Sequence, residues 1–288
     1  MTAVCAQAED DALFQSVNAL KKARLAHKPR VVSASPHLSL AKIAIEHLGV
    51  PGEFDGLARE ETKLVVARKF AEAARISEKL EAMLPKTFVP GYPLNLDYLI
   101  QWRAETGALK LYAADYVGAT EAFTEALEME PVAKPAERRA REGSGRADAA
   151  TGLARIFAIN GDSKGALTLI RAAESFKPAD CGNCNESNSA RTHMLSAVWQ
   201  WADKPYLTAR AGLAKILAGQ FTPMRMELGK GSEPSYVMAA KEEAAFLLGE
   251  MSFRSGDRLL AKRCFEALSV GADGVLRMIS ETRLRELT

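Results

Sequence analysis

The chain lacks any uninterrupted apolar run of 18 residues, which excludes a membrane-spanning helix on sequence grounds. Cysteine is scarce: Cys5, Cys181, Cys184 and Cys264 are the four in 288 residues, too few for a disulfide framework in a chain of this length. Charge of one sign is also missing. Thirty-eight basic and 36 acidic residues leave a formal net charge of +2, so no global field points to nucleic acid or an anionic membrane. The first residues carry neither a basic nor an apolar targeting region, and Cys5 has no apolar segment before it that would mark a lipidation signal. The expectation is a reduced, cytoplasmic protein. Catalytic motifs are absent too: there is no His-Glu-x-x-His and no Gly-x-Ser-x-Gly, and Gly229-Lys230-Gly231 follows Met224 where a phosphate loop requires glycine. Apolar residues nevertheless make up 48%, enough for a folded chain of two domains or one elongated array.

What the chain does have is a repeated register. Gly107, Asp115, Ala119, Phe123, Ala126 and Pro131 share their spacing with Ala154, Asp162, Ala166, Ile170, Ala173 and Pro178. Gly249, Asp257, Ala261, Phe265 and Leu268 follow the same register, with Asp273 in place of the closing proline. In each, a small residue stands 12 before the alanine, an aspartate 4 before it, and a large apolar residue 4 after it. A helical hairpin explains this. Small residues let the first helix approach the second, with Gly107 facing Ala119, Ala154 facing Ala166 and Gly249 facing Ala261. Glycine ends one helix, aspartate caps the next, and Phe123, Ile170 and Phe265 pack back on the first helix.

This register resembles the tetratricopeptide repeat, with matches at about 100–133, 147–180 and 242–275. The resemblance implies an all-α fold, with hairpins stacked in an irregular right-handed array. Ala119 and Ala166 are 47 residues apart and Ala166 and Ala261 are 95 apart, so the expectation includes insertions. These are loops at about 131–146, 177–188 and 219–234, and a degenerate hairpin at about 189–218, broken at Asp203-Lys204-Pro205. Residues 96–288 form the array. The 1–95 segment reads as helical, with one helix through Leu13, Val17 and Leu20 ending near Pro29. A second runs through Leu40, Ile43, Ala44 and His47, with Ser39 as cap and Gly49 as stop. A long third is expected from Leu57 to Leu84, with Leu64, Ala71, Ala74 and Leu80 inward. A final helix from Gly274 to Leu287 caps the stack.

Site candidates are few. Cys181-Gly182-Asn183-Cys184 has the spacing for one edge of a zinc site, with His193 nine residues beyond Cys184; Cys264, Asp180 and Glu186 compete for a fourth position. The same residues also suit a turn-rich polar loop, or a redox pair lacking its usual βαβ surroundings. His27, His37 and His47 share no helical face. The basic run Lys134, Arg138, Arg139, Arg141 and Arg146 carries no interleaved aromatic for base stacking and reads as a solvated linker. Trp199 and Trp201, two apart on an expected helix, cannot both face inward.

Relatives of the repeat family bind peptides along the first helices of their hairpins. The resemblance therefore implies a groove lined by Gln101, Ala104, Glu105 and Ala108, by Asp148, Thr151 and Arg155, and by Glu243, Phe246 and Glu250. The Lys and Asn set that clamps a peptide carboxylate in some members is missing at these positions. The implied function is a non-enzymatic scaffold for a peptide or partner protein, with Gln101, Glu105, Arg155, Phe246 and Glu250 as contact residues. The alternative is a metal- or thiol-dependent protein, with zinc as the candidate cofactor at Cys181, Cys184 and His193.

Overall fold

The turns between helices are the most regular feature of the chain, seen in a computed structural model that describes residues 3–26, 36–86, 98–129, 143–176, 192–220, 233–271 and 274–288. Arg68, Ala114, Gly161 and Gly256 all take positive φ (60, 59, 86 and 82°). The following residue sends its N–H back to a carbonyl five earlier: Lys69 to Leu64 (2.9 Å), Asp115 to Lys110 (3.0 Å), Asp162 to Phe157 (2.8 Å) and Asp257 to Ser252 (2.9 Å). This closes the C-terminus of the first helix. The aspartates then cap the second helix, Oδ1 accepting from Gly118, Gly165 and Leu260 N–H at 3.0, 2.8 and 3.1 Å. Four residues past each turn Ala73, Ala119, Ala166 and Ala261 are wholly buried or nearly so.

The protein is all-helical, and no strand occurs among the described residues. In order the helices are α1 (Ala3–Ala26), α2 (Pro36–His47), α3 (Glu53–Val66), α4 (Phe70–Ala82), α5 (Tyr98–Tyr112), α6 (Tyr116–Glu128), α7 (Gly143–Ile159) and α8 (Ser163–Ser175). There follow α9 (192–199), α10 (Tyr206–Leu217), α11 (Glu233–Arg254), α12 (Arg258–Leu268) and α13 (Val275–Leu287). Contacts divide the chain into two compact units, one of residues 1–31, 157–167 and 186–288, the other of residues 32–156 and 168–185.

In the second of these units, α2 packs on α3 and α5, and α3, α4, α5 and α6 pack in succession. The expected long helix from Leu57 to Leu84 is therefore a hairpin. It breaks at Ala67–Lys69, where Arg68 adopts left-handed backbone, and Ala71 is exposed rather than inward. Ala73 precedes Ala119 by 46 residues, close to the 47 that separate Ala119 from Ala166. Here Ser77 stands where the other hairpins carry Phe or Ile. The volume comes from the next helix: Trp102 Nε1 donates to the Ser77 carbonyl and lies 3.1 Å from its Oγ, and Ser77 Oγ is 2.7 Å from Thr106 Oγ1. Phe54 meets the Trp102 ring edge-on at 5.7 Å, inside a cluster that includes Leu40, Ala44, Leu80 and Leu84. Ser39 lies within α2, which starts at Pro36, so it is not the cap; Gly49 has the positive φ of a helix stop (63°).

In the other unit, α10, α11, α12 and α13 pack in succession, and α1 lies against α10, α11 and α12. The expected 1–95 segment is thus split, its first helix packing with the C-terminal ones. Leu13, Val17 and Leu20 of α1 are buried. Arg24 closes the open end of α12, Nε donating to the Val270 carbonyl (3.0 Å) and Nη2 to Leu268 (3.1 Å), while Nη1 pairs with Glu242. Trp201 belongs to the turn after α9 rather than to a helix. It covers Gly212, where a Cβ would stand 2.5 Å from the indole. α13 matches the expected final helix, burying Met278, Ile279 and Ser280. Among the described residues no helix is long and apolar enough to cross a membrane.

Candidate functional site

Glycine sets how closely the first helices approach their neighbours. A Cβ at Gly107 of α5 would stand 2.7 Å from two Phe123 ring carbons, and one at Gly152 of α7 would also fall on that ring. Phe123 of α6 is therefore held between two glycines. Gly145 lets α7 come against α5, since a Cβ there would be 3.0 Å from the Gln101 backbone nitrogen and Cα. The glycines leave room for a side chain at Gly107 and Gly152 and for a backbone at Gly145.

This approach brings three of the expected contact residues into one face. Gln101 Nε2 donates to Glu105 Oε1 at 2.9 Å, one turn along α5. On α7, Arg155 is buried and Asp148 is exposed. Tyr112, at the end of α5, lies within reach of both their charges. Burial pushes its phenol up to about 12; the Arg155 charge opposes that shift, and the charges of Glu105 and Asp148 add to it. The Tyr112 ring is also braced edge-on by Phe70 at 5.5 Å. The hydroxyl stays protonated across the physiological range. The surface here is carried by exposed Asp148 and by half-buried Gln101, Glu105 and Tyr112, groups with hydrogen-bonding and ionic capacity, while Arg155 is buried. Tyr112 is absent from the sequence-based set. Carrying the helical spacing Gln101, Glu105, Ala108 one step further would have reached it.

Phe246 and Glu250 lie in the other unit and present no open surface. Phe246 is 1% exposed and Glu250 0%. Arg283 of α13 covers Glu250, with Nε 2.9 Å from Oε1 and Nη2 3.0 Å from Oε2. Its guanidinium carbon sits 5.0 Å from the Phe253 ring centroid. Glu243 is likewise engaged, accepting from Trp199 Nε1 at 3.0 Å. Glu242, Glu243 and Glu250 of α11 are answered by α1, α9 and α13, so this stretch of the helix is the interior of its unit. A carboxylate's place in a helical register does not say whether a later helix will cover it.

Of the expected metal set, Cys181 and Cys184 lie outside the described residues. His193 is half-buried on α9. Cys264 is fully buried in α12, where burial raises its thiol well above the usual range. Among the described residues no group of three or more His, Cys, Asp or Glu could hold a metal ion.

A second polar network joins α10 to α11 and α12. Tyr206 Oη donates to Asp257 Oδ2 and lies 2.9 Å from Ser252 Oγ, and desolvation with the nearby Asp257 pushes its phenol up to about 12. Asp257 simultaneously caps α12, which makes this network structural. Comparison with known proteins finds no matching family model, no matching curated protein and no matching solved structure.

Proposed function

We propose that the chain is a non-enzymatic scaffold of tetratricopeptide-like hairpins, binding a peptide or partner protein on the α5/α7 face. The observation that carries this reading is the convergence of Gln101 and Glu105 with Asp148 and Arg155 around Tyr112. Two first helices contribute those residues. Supporting it, the turn-and-cap register of α5/α6 recurs at α7/α8 and α11/α12. Fold alone does not assign function; the weight rests on the face, whose groups suit recognition. Phe246 and Glu250 play no part in it, because α13 covers Glu250 and both side chains are buried. The low cysteine content suits the cytoplasm as compartment.

The test is affinity capture with the full chain as bait, read by mass spectrometry. Gln101→Ala/Asp148→Ala removes two accessible groups of the face without opening the core. A partner held by the native chain and lost with this variant supports the reading. Equal retention by both would move the interface off α5/α7.

A further inference from the structure

Outside that face, α12 is strongly two-sided. Packing against α11, α1 and α13 buries Leu260, Ala261, Cys264, Phe265, Ala267 and Leu268. It leaves Arg258, Leu259, Lys262 and Arg263 exposed. Leu259 is 59% exposed. Several guanidinium groups of this unit are engaged: Arg24 with Glu242, Arg210 with Asp10, Arg277 with Glu281 and Arg283 with Glu250. Arg258, Lys262 and Arg263 have no ionic or hydrogen-bonding side-chain partner among the described residues. Glu266, the acid on the same helix, is taken by Lys21 of α1 at 3.7 Å.

We infer that the exposed face of α12 docks an acidic amphipathic helix of a partner protein. Arg258 stands one helical turn before Lys262, and Leu259 one turn before Arg263. A partner helix carrying carboxylates one turn apart, beside a leucine-sized apolar residue, matches this face in charge and spacing. Opposite charges across such a surface steer association and fix register. Nucleic acid fits less well, because the face carries no aromatic for base stacking. A bilayer fits less well too, because one leucine and three cations on a single short helix supply little insertion. This surface is separate from the α5/α7 face, and its test leaves that face untouched.

The test is fluorescence anisotropy of the full chain with a labelled 14-residue peptide, two copies of Glu-Leu-Glu-Ala-Leu-Glu-Glu, at low and physiological salt. Binding weakened at least tenfold by R258E/K262E/R263E, and several-fold by Leu259→Ala, supports the inference. The control K63E/K79E/R171E changes net charge equally at exposed sites elsewhere and leaves binding within about twofold. Equal loss with that control reduces the effect to overall charge and overturns the proposal. So does absence of peptide binding, or capture of phosphatidylserine vesicles through Arg258, Lys262 and Arg263 when the peptide is not bound.

Discussion

The ring of Phe123 fills the space beside Gly107, so closely that a Cβ on that glycine would stand 2.7 Å from two ring carbons. Gly249 and Phe265 repeat the relationship in the other unit, at 2.9 Å. Gly107→Ala forces the aromatic ring to move in a filled core and is expected to cost about 1–3 kcal/mol. Gly56→Ala, in α3 with nothing within 4 Å of the added carbon, is expected to stabilise by roughly 0.5–1 kcal/mol. Urea unfolding followed by circular dichroism checks both; equal signs would contradict the packing described.

The α3/α4 turn invites repair toward the pattern of its relatives. Arg68 holds φ of 60°, a conformation that glycine adopts freely, and Lys69 stands where Asp115, Asp162 and Asp257 cap. Arg68→Gly/Lys69→Asp is expected to stabilise by roughly 1 kcal/mol, from relieved left-handed strain and a new cap. Asp162→Ala, which removes an existing cap, is expected to cost about 0.5–2 kcal/mol. Thermal melts of the variants decide it.

Arg283 and Glu250 tie α13 to α11, with Glu250 wholly buried and the Arg283 side chain 12% exposed. Arg283→Met takes the Arg283 pairing away from a buried carboxylate and is expected to cost about 3–5 kcal/mol. Arg283→Met/Glu250→Leu removes both charges and is expected to recover much of that. A double-mutant cycle by chemical unfolding measures the coupling, and additive losses would mean the pair is not coupled.

Alkaline titration reads Tyr112 and Tyr206, both pushed up to about 12. An unfolded tyrosine titrates near 10, so between about 10 and 12 the folded state holds protons that the unfolded chain releases. Stability from these groups is intact below about pH 10 and falls as pH rises toward 12. Tyr112→Phe is expected to flatten that fall. Unfolding curves at pH 8 and pH 11 provide the comparison, with tyrosinate absorbance as an independent monitor.

Much of the architecture was written in local chemistry. Asp115, Asp162 and Asp257 announce their turns because capping is a contact three residues away. The α3/α4 hairpin was hidden because Glu61, Lys69 and Ser77 occupy its equivalents of Gly107, Asp115 and Phe123. Its missing bulk arrives from Trp102, a residue of the following helix. The site was less legible. Helical spacing sets Gln101 and Glu105 one turn apart on α5, but Arg155, named with them as a contact residue, is buried. The burial of Glu250 could not be read from spacing, since it depends on Arg283, 33 residues later, and on α13 folding back. Arg24, whose partners Val270 and Leu268 lie at the opposite end of the chain, is a stronger case of the same limit.

The central claim is that the α5/α7 face receives the partner, and site-specific photo-crosslinking tests it most directly. A photoreactive phenylalanine analogue replaces Gln101 in one preparation and Glu72, exposed on α4, in another. Each is irradiated in lysate and the adducts identified by mass spectrometry. The account predicts a discrete adduct at 101 that is absent at 72 and lost when Asp148 is also changed to alanine. The same adducts from both positions, or none from 101 while native chain still captures a partner, would contradict it.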